Sequence, residues 1–194
     1  MKELVLASGN KKKINELKEL LDGLSVLSLN DIGFDQDIAE PYLTFKENAL
    51  QKARTVFEYC NKNVLADDSG ISVLALNNQP GVFSARYAGE NTTDQENLDK
   101  LLDEMQGKEN RKAFYTAVLC LIWDGVPHYF EGTCHGTLID ESRGSNGFGY
   151  DPIFIPNGYS ETFGELSSEI KRSISHRAQA MKKLSAFIRE RTNS

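Results

Sequence analysis

Two long apolar segments joined by two turn residues constrain this fold more than any other part of the sequence. Residues 113–123 and 126–139 both have the composition of β-strands, and Asp124-Gly125 lies between them. Asp-Gly in this setting is a strong hairpin signal, because both central residues of a tight hairpin turn need positive φ. We therefore expect an antiparallel pair of strands, which excludes an all-helical fold and a purely parallel sheet.

Strands and helices alternate on both sides of this hairpin. Strands are predicted at residues 4–7, 26–29, 64–66 and 153–155, and helices from Ile14 to Leu24, from Thr44, from Thr93 and from near Ser175. Thr44 with Glu47, and Thr93 with Glu96, have the spacing of capping boxes. This order indicates a mixed α/β fold, with residues 1–194 forming a single domain of two lobes around a long mixed β-sheet.

Composition and charge exclude several classes of protein. The 22 basic and 28 acidic residues give a net charge of −6, whereas a protein that coats nucleic acid is basic, so we expect no nucleic-acid partner. The longest apolar run, residues 117–123, is far shorter than the roughly 20 residues of a membrane span, so we expect no membrane partner. Three cysteines without a CxxC pair predict reduced thiols and a cytoplasmic location.

Residues 8–13, Ser-Gly-Asn-Lys-Lys-Lys, lie between the first strand and the first predicted helix. A glycine there permits a tight turn and leaves backbone N–H groups at the start of the helix, where an anion is favoured. Lysines in the first turn of a helix oppose its dipole, so three of them indicate an anionic partner. The alternative is a helix cap followed by a solvated basic turn. No Walker A sequence is present.

Asp67-Asp68-Ser69-Gly70 follows the predicted strand at residues 64–66. Neighbouring residues of an extended chain point to opposite faces, so at most one of the two carboxylates enters a given site. A carboxylate at the end of a strand is suited to binding Mg²⁺ or to general base catalysis. The alternative is a turn, because Asp, Ser and Gly all favour turns.

Two further groups precede this motif. Glu40 ends an acidic loop and is a candidate second ligand for a hard cation, although a solvated loop is the simpler interpretation. Asn48 and Lys52 are four residues apart on one predicted helix and therefore share a face. The simpler interpretation of that pair is an exposed helix surface.

A second glycine loop, Gly-Phe-Gly-Tyr-Asp-Pro at residues 147–152, precedes a strand instead of opening a helix, which excludes a dinucleotide-binding fold. Its aromatic residues can stack on a base, and Asp151 can contact metal or water; the alternative is a structural bulge with two core aromatics. Lys171, His176 and Arg177 add cationic side chains near the start of the last helix. Their alternative is a surface turn.

Lysines for phosphate, carboxylates for a metal and aromatics for a base are the set that a Mg-nucleotide requires. The ordered motifs are Ser-Gly-Asn-x-x-Lys at 8–13, Thr-Phe-x-Glu-Asn-Ala at 44–49, Asp-Asp-Ser-Gly at 67–70, Pro-Gly-Val-Phe-Ser-Ala-Arg-Tyr at 80–87, Phe-Gly-Tyr-Asp-Pro at 148–152 and Ile-Ser-His-Arg at 174–177. Over about residues 3–190 the chain closely resembles the inosine/xanthosine triphosphate pyrophosphatase family. Ser8 stands where many relatives have Thr, which keeps the hydroxyl.

The resemblance implies a fold and an activity. The fold is one α/β domain with two lobes around a long mixed sheet, with the active site in the cleft between the lobes, and the molecule is usually a homodimer. Members hydrolyse ITP, dITP and XTP to the monophosphate and pyrophosphate with Mg²⁺, which prevents incorporation of deaminated purines into DNA and RNA.

The resemblance also implies roles for particular residues of this sequence. The triphosphate is held by Ser8, Gly9, Asn10, Lys11, Lys12 and Lys13, and faced by Lys52. The metal is bound by Glu40 and Asp68, of which Asp68 is also the catalytic carboxylate. The substrate is contacted by Ser69, and its base and sugar are surrounded by Phe148, Gly149, Tyr150, Asp151, Lys171, His176 and Arg177.

Three other functions remain open from the sequence. A nucleotide sensor with the same pocket would bind without turnover. A related pyrophosphatase acting on modified pyrimidines would differ in its preference across a panel of bases. A protein-interaction domain with unremarkable turns would show no metal dependence.

Overall fold

The computed structural model describes residues 3–10, 14–15 and 25–192. The strands are β1 (Glu3–Leu6), β2 (Ser25–Leu27), β3 (Asn63–Val73), β4 (Gln79–Pro80), β5 (Lys112–Trp123), β6 (Val126–Leu138) and β7 (Phe154–Pro156), and the α-helices are α1 (Phe45–Cys60), α2 (Asp94–Glu104), α3 (Ser168–Ile174) and α4 (His176–Thr192). The helix predicted from Ile14 to Leu24 lies outside the described residues, except for residues 14 and 15, which are helical. Among the described helices, none is both long and apolar enough to span a membrane.

The strands form a mixed sheet, which confirms the predicted α/β class. The hydrogen-bonded order is β2-β1-β3-β5-β6-β7, with β4 paired to β3. Strand β1 is parallel to β2 and β3, whereas β4 is antiparallel to β3 and β7 is antiparallel to β6. The hairpin of β5 and β6 is also confirmed: Asp124 and Gly125 have φ values of 49° and 81°, as a two-residue turn requires. The chain divides into two compact units.

The first unit comprises residues 1–68, 117–131 and 179–194. Its strand β1 is buried on both faces: Leu4 and Leu6 pack in one apolar core with residues of α4, and Val5 packs in another with residues of α1. Burial between helix layers is why such a strand has an uninterrupted apolar sequence. Helix α1 begins after Thr44, whose hydroxyl oxygen accepts the Glu47 N–H at 3.2 Å. The Glu47 carboxylate accepts from the Thr44 hydroxyl.

The second unit comprises residues 69–116 and 132–178. Its core includes Ile71, Leu98, Leu101, Tyr115, Phe154 and Phe163. Helix α2 begins with the complete predicted capping box, in which Thr93 and Glu96 each accept a backbone N–H from the other. The sequence did not predict α3, because its seven residues carry only two apolar side chains, Ile170 and Ile174, too few to show a helical period.

Strand β3 is longer than the sequence predicts. The turn interpretation of residues 67–70 is wrong, because the strand continues through them to Val73. A Cβ placed on Gly70 would lie 2.3 Å from the Gly81 carbonyl oxygen and 2.4 Å from Ser84 Oγ. Ser84 Oγ also accepts the N–H of Ile71 at 2.9 Å. Glycine at position 70 therefore permits the close approach of another segment rather than a turn.

Candidate functional site

Helix α1 and strand β3 bring one lysine and two carboxylates together in the first unit. Lys52 Nζ lies 3.0 Å from Asp68 Oδ1 and 3.0 Å from Glu40 Oε1. Burial lowers the pKa of Lys52, but the carboxylates of Asp68, Glu40 and Asp67 raise it more, so its pKa lies above the usual value and the ammonium stays charged. The interpretation of Asn48 and Lys52 as a surface pair is wrong, because both side chains are buried.

Asn48 fixes the backbone next to Glu40. Its amide Nδ2 donates to the Tyr42 carbonyl at 3.0 Å, and its Oδ1 accepts the Tyr42 N–H at 2.9 Å. A fully buried asparagine that satisfies both backbone groups of one residue holds that residue in place. Because Tyr42 is two residues after Glu40, the contact restricts the segment that delivers the Glu40 carboxylate to Lys52.

Ser8, Gly9 and Asn10 follow β1 in the same unit. The N–H of Asn10 donates to Ser8 Oγ at 3.2 Å, and the Asn10 carbonyl accepts the N–H of Ile14 at 2.9 Å. A Cβ on Gly9 would meet no atom of the described residues within 4 Å. Steric crowding therefore does not require glycine at position 9. Lys11, Lys12 and Lys13 lie outside the described residues.

Glu40 and Asp68 have the chemistry of ligands for a hard cation such as Mg²⁺. Both place carboxylate oxygens against one ammonium group, so a positive charge between them is stabilised. Mg²⁺ is usually bound by one or two carboxylates together with water and substrate phosphates, rather than by an all-protein cage. Within the described part of the chain, no group of three or more His, Cys, Asp and Glu residues is placed to hold a metal. A pair of carboxylates is the protein contribution expected for a metal that is bound jointly with a substrate.

A second cluster lies in the second unit and is centred on Asp151. Its Oδ2 accepts from Lys171 Nζ at 2.7 Å and from the Phe148 N–H at 2.7 Å. Lys171 Nζ also lies 4.8 Å from the centre of the Phe148 ring, within the range of a cation–π contact. Gly147 has φ of +76°, and a Cβ there would lie 2.1 Å from Asp151 Oδ2. Glycine at position 147 is thus required both by the turn and by the buried carboxylate.

His176 and Tyr115 form a stacked pair beside Asp151. Their ring centroids are 4.7 Å apart and their planes differ by 9°. The Tyr115 hydroxyl lies 3.4 Å from Asp151 Oδ1; burial and the nearby Asp151 carboxylate raise the pKa of Tyr115 well above its usual value, so it keeps its proton. Ser175 caps α4 as predicted, its Oγ accepting the Ala178 N–H at 3.2 Å. Tyr115 was not predicted from the sequence, because a tyrosine in an apolar strand has no distinguishing local signal.

Arg177 connects the start of α4 to strand β3 within the second unit. Its Nη2 donates to Ser69 Oγ at 3.0 Å, and its guanidinium carbon lies 5.9 Å from the centre of the Phe148 ring. Arg177 and His176 are only 2% and 4% exposed, so the surface-turn interpretation of this segment is wrong. Lys171 and Arg177 both lie near the Phe148 ring, which gives this cluster a cationic and aromatic character.

Segment 80–87 stabilises neighbouring segments of the second unit through hydrogen bonds. Ser84 Oγ donates to the Gly81 carbonyl at 2.6 Å, and the Ser84 carbonyl accepts from the Tyr150 hydroxyl at 2.8 Å. Tyr150 is consequently part of the core, whereas Phe148 remains partly exposed. The Arg86 guanidinium lies 5.3 Å from the centre of the Phe83 ring. The segment therefore holds the glycine loop and the end of β3 in position.

The predicted residues divide between the two units. The first unit contains Ser8, Gly9, Asn10, Glu40, Lys52 and Asp68, and the second contains Ser69, Phe148, Gly149, Tyr150, Asp151, Lys171, His176 and Arg177. In the first unit the contacts join Glu40, Lys52 and Asp68; in the second they join Asp151, Lys171, Phe148, Arg177 and Ser69.

Carboxylates suited to a hard cation, together with buried cationic side chains, are typical of enzymes that act on phosphorylated substrates. The model of the Ham1 family matches residues 4–187 of this chain, and the chain belongs to that family.

Named relatives and solved structures extend this comparison. The chain is 47% identical over 193 residues to a dITP/XTP pyrophosphatase of Bacillus subtilis, covering 97% of this chain and 98% of that protein. It is 46% identical over 188 residues to a dITP/XTP pyrophosphatase of Flavobacterium psychrophilum, covering 96% and 99%. The structure of the Staphylococcus aureus Ham1 protein is similar with a TM-score of 0.90 at 41% identity, covering 98% of this chain and 100% of that one.

Proposed function

We propose that this chain is a Mg²⁺-dependent nucleoside triphosphate pyrophosphatase. It hydrolyses ITP, dITP and XTP to the monophosphate and pyrophosphate, and so keeps deaminated purines out of DNA and RNA. The observation that carries this proposal is the sharing of the buried Lys52 ammonium by Glu40 and Asp68. Relatives at 46–47% identity over nearly the full length are named for this activity.

The first-unit residues are proposed to act on the phosphates. Ser8, Gly9 and Asn10, with Lys11, Lys12 and Lys13 next in sequence, bind the triphosphate, since backbone N–H groups and lysines at a helix start favour anions. Asp68 orients and deprotonates the water that attacks the α-phosphorus, and pyrophosphate leaves. Lys52 holds the Asp68 carboxylate in place and faces the phosphates. Glu40 and Asp68 would hold Mg²⁺, which would supply positive charge for the phosphate oxygens, where negative charge develops in such reactions.

The second-unit residues are proposed to recognise the base and sugar. Phe148 and Gly149 offer a partly exposed aromatic surface and backbone beside it, while Tyr150 and Asp151 fix the loop from within. Ser69 contacts the substrate, and Lys171, His176 and Arg177 supply hydrogen-bond donors. Hypoxanthine and xanthine carry an oxygen at C6 where adenine carries an amino group. A donor aimed at that oxygen would be left unpaired by adenine, and such mismatches discriminate by about 10⁴-fold or more.

We propose that residues 1–194 form one functional domain that works as a cytoplasmic homodimer without a nucleic-acid or membrane partner. The family resemblance, the acidic charge and the unpaired cysteines support this. Light scattering coupled to gel filtration tests the assembly. A mass of twice 21.7 kDa supports the dimer, and a mass of 21.7 kDa contradicts it.

The activity is tested by measuring pyrophosphate release from ITP, dITP, XTP, ATP and GTP with Mg²⁺. We expect fast release from the first three, and a loss of about 10²-fold or more in Asp68→Asn, in keeping with removal of a general base. The matched control is Asp35→Asn, the same substitution at an exposed position of the first unit, and it should retain full activity.

Chelation with EDTA should stop the reaction, and Mg²⁺ should restore it. Release of orthophosphate instead of pyrophosphate would contradict the proposed bond cleavage. Binding of ITP by folded wild-type protein without any turnover would support a sensor in place of an enzyme.

A further inference from the structure

We infer that Tyr115 is a positioning residue for base recognition, because its ring holds the plane of the His176 imidazole. This inference rests on the proposed function, which assigns His176 to the base. Tyr115 lies on β5 and is buried, and its ring lies nearly parallel to that of His176. An offset stack at this centroid distance is a favoured aromatic geometry. A hydrogen bond from an imidazole to a base requires the ring plane to be set, so the stack bears on selectivity.

Tyr115 is itself held from its other side. Its ring makes an edge contact with Phe154 on β7, with centroids 4.8 Å apart and planes at 73°, and Phe154 is fully buried. The tyrosine ring is thus clamped between a rigid core residue and the imidazole. Rotation of His176 about its side-chain bonds would have to displace a packed core ring, which close packing resists.

The ring of Tyr115 contributes more than its hydroxyl to the contacts of this residue with His176 and Asp151. The distance of 3.4 Å from the hydroxyl to Asp151 Oδ1 exceeds the usual range for an O–H···O hydrogen bond. Asp151 has two shorter donors, Lys171 Nζ and the Phe148 N–H, both at 2.7 Å. Both of these donors contact Oδ2, so removal of the hydroxyl leaves the two short hydrogen bonds of the carboxylate in place. Removal of the ring releases the imidazole. This difference separates positioning through stacking from a role in the Asp151 ion pair.

The test compares Tyr115→Phe, which keeps the ring, with Tyr115→Leu, which removes it. We expect KM for dITP to rise about 2- to 12-fold in Tyr115→Leu, the range for one aromatic pair. Its preference for dITP over dATP should fall by a similar factor, while kcat changes less than about twofold. Inorganic tripolyphosphate, which has no base, should inhibit both variants and the wild type with the same inhibition constant. Tyr115→Phe should match the wild type in every constant.

The control for general loosening of the core is Leu101→Ala, which removes a fully buried side chain from the same core cluster. It should lower thermal stability without changing the preference for dITP over dATP. The chain has three histidines, so NMR of the imidazole protons, with His176→Gln for assignment, follows the stack directly. The His176 protons should move downfield in Tyr115→Leu, which loses ring-current shielding, and stay in place in Tyr115→Phe.

Three results would overturn the inference. The first is an unchanged preference for dITP over dATP in Tyr115→Leu. The second is a rise in the inhibition constant of tripolyphosphate as large as the rise in KM for dITP, and the third is a loss of preference in Tyr115→Phe as large as that in Tyr115→Leu. If the wild type hydrolyses no nucleoside triphosphate, the proposed function fails, and titration with inosine monophosphate decides the inference by itself. Weaker binding to Tyr115→Leu, seen at the His176 resonances, supports it. Equal binding, or no response of His176 in the wild type, contradicts it.

Discussion

Replacement of Lys171 by methionine would remove the positive half of a buried ion pair. Lys171 and Asp151 are 8% and 2% exposed, and the Nζ–Oδ2 distance is 2.7 Å. Methionine retains most of the apolar stem, so the change isolates the charge. Breaking a buried pair by removing one partner costs about 3–5 kcal/mol, because the other charge is left in a medium of low dielectric constant.

Two effects limit this loss in the free energy of unfolding. A carboxylate with an ordinary pKa near 3.9 can take up a proton at pH 7 at a cost of about 4 kcal/mol, which limits the penalty for one stranded charge. The Phe148 N–H, at 2.7 Å, continues to stabilise the Asp151 carboxylate. We therefore expect Lys171→Met to lower the free energy of unfolding by about 3 kcal/mol at pH 7. The deficit should narrow by about 1 kcal/mol between pH 7 and pH 5.5. Over this range the cost of protonating an ordinary carboxylate falls from about 4 to about 2 kcal/mol, which is below the penalty of about 3 kcal/mol for the buried charge.

Urea unfolding followed by far-UV circular dichroism measures this loss. The double variant Lys171→Met/Asp151→Asn should recover part of it, since asparagine still accepts the Phe148 N–H but carries no charge. Lys62→Met is the matched control, because Lys62 pairs with Glu3 at the surface, where both side chains are more than 40% exposed; its unfolding midpoint should stay close to that of the wild type. A double variant no more stable than the single one, or a deficit that does not change with pH, would refute the reasoning.

Two further predictions concern backbone packing and helix capping. Gly70→Ala should lower the free energy of unfolding by about 1–3 kcal/mol, because its Cβ would meet backbone and side-chain oxygens. Gly9→Ala, where a Cβ meets no atom within 4 Å in the part of the chain that the structure describes, should unfold at the wild-type midpoint. Thr93→Ala should cost about 1 kcal/mol in the same urea assay. The backbone N–H and hydroxyl of Thr93 lower the pKa of Glu96 in the folded protein. Glu96 therefore contributes to the free energy of unfolding at pH values above its unfolded-state pKa. This contribution is lost as the pH falls through the lowered pKa. A difference between wild type and Glu96→Gln that persists at low pH would contradict this assignment.

Local signals in the sequence were sufficient wherever a few adjacent residues determine the structure. Asp124-Gly125 predicted the hairpin, and Thr93 with Glu96 predicted the start of α2, because turn dihedrals and helix capping depend on neighbours in the chain. Residues 67–70 do not follow their local preference. Their composition favours a turn, but contact with Gly81 and Ser84 keeps the strand extended, so tertiary packing overrode local preference.

The candidate site was predicted only in part, because it also depends on tertiary contacts. Local patterns and the family resemblance identified Glu40, Lys52 and Asp68 individually, but the single ammonium shared by two carboxylates depends on contacts 12 and 16 residues apart in sequence. Two contacts were not predicted: the hydrogen bonds of Asn48 with Tyr42, and the stacking of Tyr115 on His176. No spacing rule in the sequence relates residues that come into contact only in the tertiary structure.

Small side chains between α1 and the sheet have a consequence for chemistry in the first unit. Helix α1 contributes Ala49 and Ala53 to one core, β3 contributes Ala66, and Ala7 follows directly after β1; all four are fully or almost fully buried. A methyl group is the smallest side chain that still fills such a layer, so the helix axis can approach the strands closely. Lys52 precedes Ala53 on that helix, and Asp68 follows Ala66 by two residues on β3. The distance between the Lys52 ammonium and the Asp68 carboxylate therefore depends on the volume of the side chains in this core. Larger residues in place of these alanines would lengthen that distance without any change to Lys52 or Asp68.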